Sequence, residues 1–350
     1  MKNQGVTFRS LTVLGLLLVP AGCGRAPRQD AAPQPAPPAA ARLVVYTSVD
    51  EVFARAVLEE YTRKTGVRVD AVFDSEAGKT TGFLHRLRRE AARPRCDVWW
   101  SGEIFGTIEL AREGLLEPYD SPAAADIPSA WRDAQKRWTG CAARARVLAF
   151  DPGRFSADRL PPTWVELVQP DWAARTAIAN PQFGTTRGHV AALFAYWGPE
   201  RARRALESLR DAGARLADGN SHAVRLVIAR AAEVCWTDTD DVWVNQRRGA
   251  ALDLVYPRLA DDLPAIWVPC TVAVVKGGPG GPAAARLVDY LVSAEVELGL
   301  ARSDSRNVPV RAGLRAESGY DGPAPEPLDF ERVTDALPEA MAAARDILLR

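Results

Sequence analysis

The chain has 350 residues, 47% of them hydrophobic and 25% charged, which is enough to bury one large domain or two of ordinary size. Its 44 basic side chains match its 44 acidic ones, which argues against a nucleic-acid partner. Glycine, proline and cysteine are too sparse for a fibrous or disulfide-built chain.

The first residues read as an address. Lys2 and Arg9 give a positive start, and the apolar run 11–19 is too short to span a bilayer comfortably. Ala21-Gly22-Cys23 follows at once and resembles a bacterial lipoprotein box, with Pro20 where that pattern prefers an aliphatic residue. The expectation is a signal over 1–23 with Cys23 lipidated, anchoring the exported chain to a membrane. An ordinary secretory cleavage is the alternative. Residues 24–41 hold five prolines and no large apolar side chain, so they read as a semi-rigid tether. Setting 1–41 aside removes four basic residues and one acid, leaving 40 basic and 43 acidic side chains, a net charge of −3.

From Arg42 onward short apolar runs alternate with helical patterns. Residues 43–46 predict a strand, and Ser48 with Glu51 has the spacing of a helix capping box. A second strand over 67–73 runs into Ser75 and Glu76, and a third over 97–100 into Ser101, Gly102 and Glu103. Strands that alternate with helices imply a parallel sheet, whose ligands bind beyond the carboxyl ends of the strands. The strand 176–180 leads to the GTTRG loop at 184–188, with a helix from about 189 to 197. Asn220 and Ser221 introduce another helix, and the strand 234–237 runs into Asp238, Asp240 and Asp241. Residues 283–301 and 337–349 read as helices, and no internal repeat is evident.

Two long strand-like runs, 138–150 and 266–276, bracket this second set. Such runs let a chain cross into a second lobe and return. If they lie side by side, Cys141 and Cys270 come close, and an exported chain permits that disulfide. Buried free thiols remain the alternative. No spacing among the cysteines suggests zinc.

Taken in order, VVYTSVDEVFARAVLEEYTRKTG, CDVWWSGEIFGTIELAREGLLEPY, NPQFGTTRGHVAALFA, TDTDDVWVNQRRG and NVPVR resemble the solute-binding proteins of iron(III)-type ABC importers. The resemblance implies an α/β, two-lobed type II periplasmic-binding-protein fold. Two mixed, mostly parallel sheets would be joined by a two-strand hinge, with the cleft between lobes. Its implied organisation is a first lobe from 42–145 and 268–350 and a second from 146–267. It also implies a monomer without a cofactor that delivers its solute to ABC permease and ATPase subunits. Ferric members of that family place adjacent tyrosines near the segment occupied here by 237–241, and this chain has no such pair.

The candidate ligand residues are Tyr46, Thr47, Ser48, Glu51, Ser75, Glu76, Ser101, Glu103, Thr185, Thr186, Asp238, Asp240 and Asp241. Hydroxyls and N–H groups at helix starts favour an anion, with Lys79, Thr80 and Ser221 adding to them. Carboxylates favour a cation, and Tyr46, Glu103, Asp238 and Asp240 could hold a hard metal. Ferric iron with a synergistic anion uses both sets. A phosphonate, a phosphate-type solute or a zwitterion also does. A secreted hydrolase is the competing class, but no G-x-S-x-G or H-E-x-x-H is present and only three histidines are. The expectation is therefore a binding protein, not an enzyme.

Overall fold

The computed structural model describes residues 42–73 and 80–350. Cys23, Ser75, Glu76 and Lys79 lie outside the described residues.

Strand β1 (Arg42–Thr47) leads to helix α1 (Glu51–Thr65), which Gly66 closes in the left-handed conformation. Strand β2 (Arg68–Phe73) pairs parallel with β1. Helix α2 (Thr81–Arg89) returns the chain to β3 (Val98–Ser101), parallel on the other side of β1, and then comes α3 (Phe105–Arg112). Strand β3 is buried throughout, and β1 nearly so, as expected of parallel strands covered on both faces. Trp99 and Trp100 are both fully shielded, and Trp99 donates its ring N–H to Thr107 at 2.9 Å.

The long strand β4 (Thr139–Phe150) precedes a second set. Strand β5 (Thr176–Ala179) feeds α4 (Gly184–Trp197), β6 (Arg215–Ala217) feeds α5 (Asn220–Ile228), and β7 (Val234–Asp238) feeds α6 (Thr239–Arg247). Strands β6 and β7 both lie parallel to β5. Strand β8 (Trp267–Val275) then returns the chain antiparallel to β3. The first part of β4 pairs with β8 and its second part with β7, so one strand serves both halves. The hydrogen-bonded order is β2-β1-β3-β8-β4-β7-β5-β6.

Cys141 stands opposite Cys270 in the β4–β8 register, beside a bulge that leaves Ala142 at φ 47°. Both thiols are free and buried in the structure. The Ala142 N–H, displaced from the ladder, is taken up by Glu297 Oε1 at 3.1 Å.

Three helix limits differ from the sequence expectation. Helix α4 begins at Gly184, so GTTRG is its first turn rather than a loop. Residues 283–301 are split into helices Pro282–Leu291 and Ala294–Arg302, because Ser293 starts a new helix by accepting the Val296 N–H. The last helix, α7 (Phe330–Leu348), starts earlier, capped by Asp329, and it absorbs Pro338. Helix α7 lies along α4.

Candidate ligand-binding cleft

The carboxyl ends of β1, β3, β5, β6 and β7 all open on one cavity, each followed by the start of a helix or the turn before one. The space left there is about 60 Å³. Converging helix N-termini present unpaired N–H groups and partial positive charge to it.

Ser48 organises the wall from the first half. Its Oγ accepts from the Gly102 N–H at 2.9 Å and from Thr80 Oγ1 at 3.2 Å. The capping box expected at Ser48 and Glu51 is therefore not formed. Helix α1 starts behind Asp50, and Glu51 points to solvent, paired with Arg55. Glu103 is buried at the cavity wall, and its carboxylate accepts from the N–H groups of Phe105 at 2.6 Å and Gly106 at 3.0 Å. It thus caps α3. Burial pushes its carboxyl up to about 7, against the pull of Arg187 and those amides.

The second wall is built around Arg146, which is fully shielded. Its guanidinium donates to Asp238 at 2.7 Å, Thr185 at 3.1 Å, Asn220 at 3.2 Å, and both Thr186 and the His189 ring at 3.3 Å. Asp238 also accepts from Thr185 at 2.6 Å and from Asn220 at 3.0 Å. These bonds tie the starts of α4, α5 and α6 to β4. His189 packs against Trp236 with ring centroids 4.8 Å apart. Burial, with Arg146 beside it, holds its imidazole well below the usual range, so it is neutral.

Asp238, Asp240 and Asp241 offer carboxylate oxygens that all lie within 4.8 Å of one another. Asp241 accepts from Ser221 at 3.0 Å and Thr237 at 2.9 Å. Burial, then the neighbouring carboxylates, raise the Asp240 carboxyl, while Arg144 opposes them. Arg144 comes from β4, two residues before Arg146. It donates to the Gly102 carbonyl, and its NH1 lies 3.6 Å from Asp240. Its Nε, 3.3 Å from Asp238, is not aligned for a hydrogen bond and is buried without one. Among the described residues, Asp50, Glu103, Asp218, Asp238, Asp240 and Asp241 line the cavity, with Arg144 as the basic side chain among them.

The two walls touch outside the cavity. Arg187 of α4 makes a two-oxygen contact with Glu109 of α3 at 2.9 Å. Gly188 lies against the Phe105 ring, so close that a Cβ there would be 1.9 Å from it. Glycine is required at that point of α4, which is why the segment reads as a turn in the sequence.

The cavity therefore gathers Ser48, Glu103, Thr185, Thr186, Asp238, Asp240 and Asp241 of the expected residues. Tyr46 does not join them. It is buried on the other side of β1, bonded to Glu90 at 2.8 Å and stacked on Phe83. Thr47 turns inward and accepts the Val49 N–H at 3.1 Å, while Ser101 is fully buried behind Ser48. Tyr46 is thus not a metal ligand of this cavity, and no tyrosine is among its lining residues in the described part of the chain. Sequence reasoning missed Asp50, Arg144, Asn180, Asp218 and Asn307. For Arg144 the signal was present: two arginines at alternate positions in an otherwise apolar strand.

The family of bacterial extracellular solute-binding proteins matches residues 108–334. The chain belongs to that family. Among curated relatives, the Fe(3+)-binding periplasmic protein of Serratia marcescens is 26% identical over 170 residues, 48% of each chain. Iron uptake protein A1 of Synechocystis is 24% identical over 282 residues, covering 77% of this chain and 74% of the relative. The chain thus spans about half the length of the first relative and three quarters of the second. Iron-bound HitA from Pseudomonas aeruginosa superposes with a TM-score of 0.76 at 23% identity, over 88% of this chain and 99% of that one. AfuA from Actinobacillus pleuropneumoniae, with fructose-6-phosphate bound, gives 0.72 at 18% identity, over 88% and 98%. The fold of this family member is the two-lobed type II periplasmic-binding-protein fold, with β4 and β8 as the paired crossings.

Proposed function

We propose that this chain is the solute-binding component of an ABC importer and captures a hard cation in the interlobe cleft. Iron is the metal named for these relatives, as Fe(3+) for the Serratia protein. The observation that carries this reading is the cluster of Asp238, Asp240 and Asp241, whose oxygens share one small volume at the cleft. Carboxylate oxygens suit a hard, highly charged ion. Asp238 already serves Arg146, so Asp240 and Asp241 are the donors in this reading, with a small anion or water completing the shell. The helix starts around the cavity suit that anion. Cys23 would carry the lipid anchor, and a permease with its ATPase would take the released ion.

A second reading is a small phosphate-bearing or zwitterionic solute. It is favoured by the unpartnered Nε of Arg144 beside the starts of α4 and α5. The test is calorimetric titration of chelator-stripped protein with ferric citrate and, separately, with sugar phosphates and aminophosphonates. Binding of ferric ion that weakens at least about tenfold in Asp240→Ala, with melting unchanged, supports the cation reading. Tight binding of an iron-free organic phosphate, with no ferric binding, replaces it by the second.

A further inference from the structure

Arg144 and Arg146 stand two residues apart on β4, so the pleat sends both to one side, and both reach Asp238. Their surroundings differ. The Arg146 side chain is wholly shielded and its donors are taken up by five acceptors. The Arg144 side chain is 13% exposed and lines the cleft cavity.

The terminal nitrogens of Arg144 touch both halves of the chain. NH2 donates to the Gly102 carbonyl in the turn after β3. NH1 lies 3.6 Å from Asp240 in the first turn of α6 and 3.9 Å from the Cys270 sulfur on β8. Gly102 makes the room. A Cβ there would stand 3.0 Å from Arg144 NH2 and 3.0 Å from the Ser48 carbonyl oxygen.

At 3.6 Å, Asp240 is beyond hydrogen-bond distance, so it meets the charge of Arg144 rather than its N–H groups. A guanidinium does not lose that charge in a protein. A cation that takes Asp240 as a donor therefore arrives beside a positive charge already in place. In a buried site that repulsion is little screened by salt. The same charge opposes a proton on Asp240, but a trivalent ion feels it three times as strongly as a proton does. Removing the charge thus favours the ion.

We propose that Arg144 is a built-in counter-ion of the acidic cluster, which offsets Asp240 in the empty cleft and holds the affinity for a hard cation below what the carboxylates alone would give. This rests on the cation reading of the cleft. A binding protein must give up its cargo as well as hold it. A competing charge tethered to the crossing strand eases that release without a second ligand. Arg144 is in this sense a positioning residue for the charge balance, not a ligand donor.

The test is calorimetric titration of the chelator-stripped full chain with ferric citrate. The unmodified chain is compared with Arg144→Gln, Arg144→Lys and Asp240→Ala. Glutamine can still donate to the Gly102 carbonyl but carries no charge, whereas lysine keeps the charge. Arg144→Gln is expected to bind ferric ion at least about tenfold more tightly, and Arg144→Lys within about threefold of the unmodified chain. A merely structural role would make both weaken binding alike. If Arg144→Gln fails to fold, judged by circular dichroism, Arg144→Met carries the same expectation and decides. Ferric binding that appears only in the uncharged variant also supports the proposal. Ferric binding that is lost in Asp240→Ala but unchanged or weaker in Arg144→Gln overturns it and leaves the cation reading standing. So does Arg144→Lys binding as tightly as Arg144→Gln. No ferric binding by the unmodified chain or by Arg144→Gln overturns both.

Discussion

Arg146 and Asp238 meet at 2.7 Å in an ion pair whose arginine side chain is wholly removed from solvent. Four further acceptors surround the same guanidinium, so its charge and its donors are satisfied internally. Removing one member of such a buried pair leaves the other charged and unpaired, at a cost of about 3–5 kcal/mol. Arg146→Ala is predicted to lose that much in urea unfolding. Arg146→Lys should recover only part, because a single ammonium cannot reach five acceptors on two helices and the end of β7. A loss below about 1 kcal/mol for Arg146→Ala would show that the network does not hold the second wall.

Gly188 controls how closely the walls approach. A methyl group there meets the Phe105 ring at 1.9 Å, which no small rearrangement relieves. Gly188→Ala is predicted to hold the cleft ajar, with a larger radius of gyration by small-angle scattering and ligand affinity lower by about tenfold. The double variant with Phe105→Ala should recover closure. Unchanged scattering and affinity in the single variant would refute the contact as a stop.

Glu103 gives the protein a pH dependence with a definite sign. Its carboxyl is raised from 4.5 to about 7 by burial. The folded chain therefore holds this proton more tightly than the unfolded chain does. The resulting stabilisation is complete below pH 4.5 and is lost as pH rises through about 7. Glu103→Gln removes the titration. Measured against the unmodified chain, it should gain stability from pH 4 to pH 8, on the order of 3 kcal/mol. Parallel pH curves for the two proteins would contradict the assignment.

Cys141 and Cys270 face each other across neighbouring antiparallel strands, where Cα atoms stand roughly 4.5–5.5 Å apart, within reach of a disulfide. Both thiols are pushed up by burial, Cys270 to about 11, so in the folded chain they react slowly. Cross-linking is therefore predicted during folding in an oxidising compartment, with two hydrogens passing to a disulfide oxidant. Non-reducing peptide mapping of exported protein should recover the 141–270 link, with Cys96 and Cys235 free. Recovery of Cys141 and Cys270 as thiols would refute the cross-link.

Much of the cleft could be read from local sequence because strand ends obey local chemistry. Ser48, Glu103, Thr185 and Asp240 each follow a buried strand at the start of a helix, and that pattern placed them. What could not be read was set by distant partners. Tyr46 is turned away by Glu90 and Phe83, on elements formed much later in the chain. Thr185, Thr186 and Asp238 looked like ligand donors, but Arg146, carried on a strand from elsewhere, takes up their bonds. Glu51 was displaced because α1 begins behind Asp50, two residues after the expected cap Ser48, which turns it outward. The glycines of 184–188 suggested a loop, because nothing local announces that Phe105 needs the space.

The crossing strands also impose an order of assembly. The strands β5, β6 and β7 and their helices are close in sequence and meet β4, which precedes them. The strands of this half can pair as soon as Asp238 has been added to the chain. The other half cannot finish so early, because β3 lacks its neighbour until Val98 meets Val274. Closing a loop that long is slow relative to local pairing. A chain emerging from its N-terminus thus exposes one edge of β3 for most of its synthesis or passage. The segment most open to misassembly is the apolar strand VWWS, until the hinge returns to cover it.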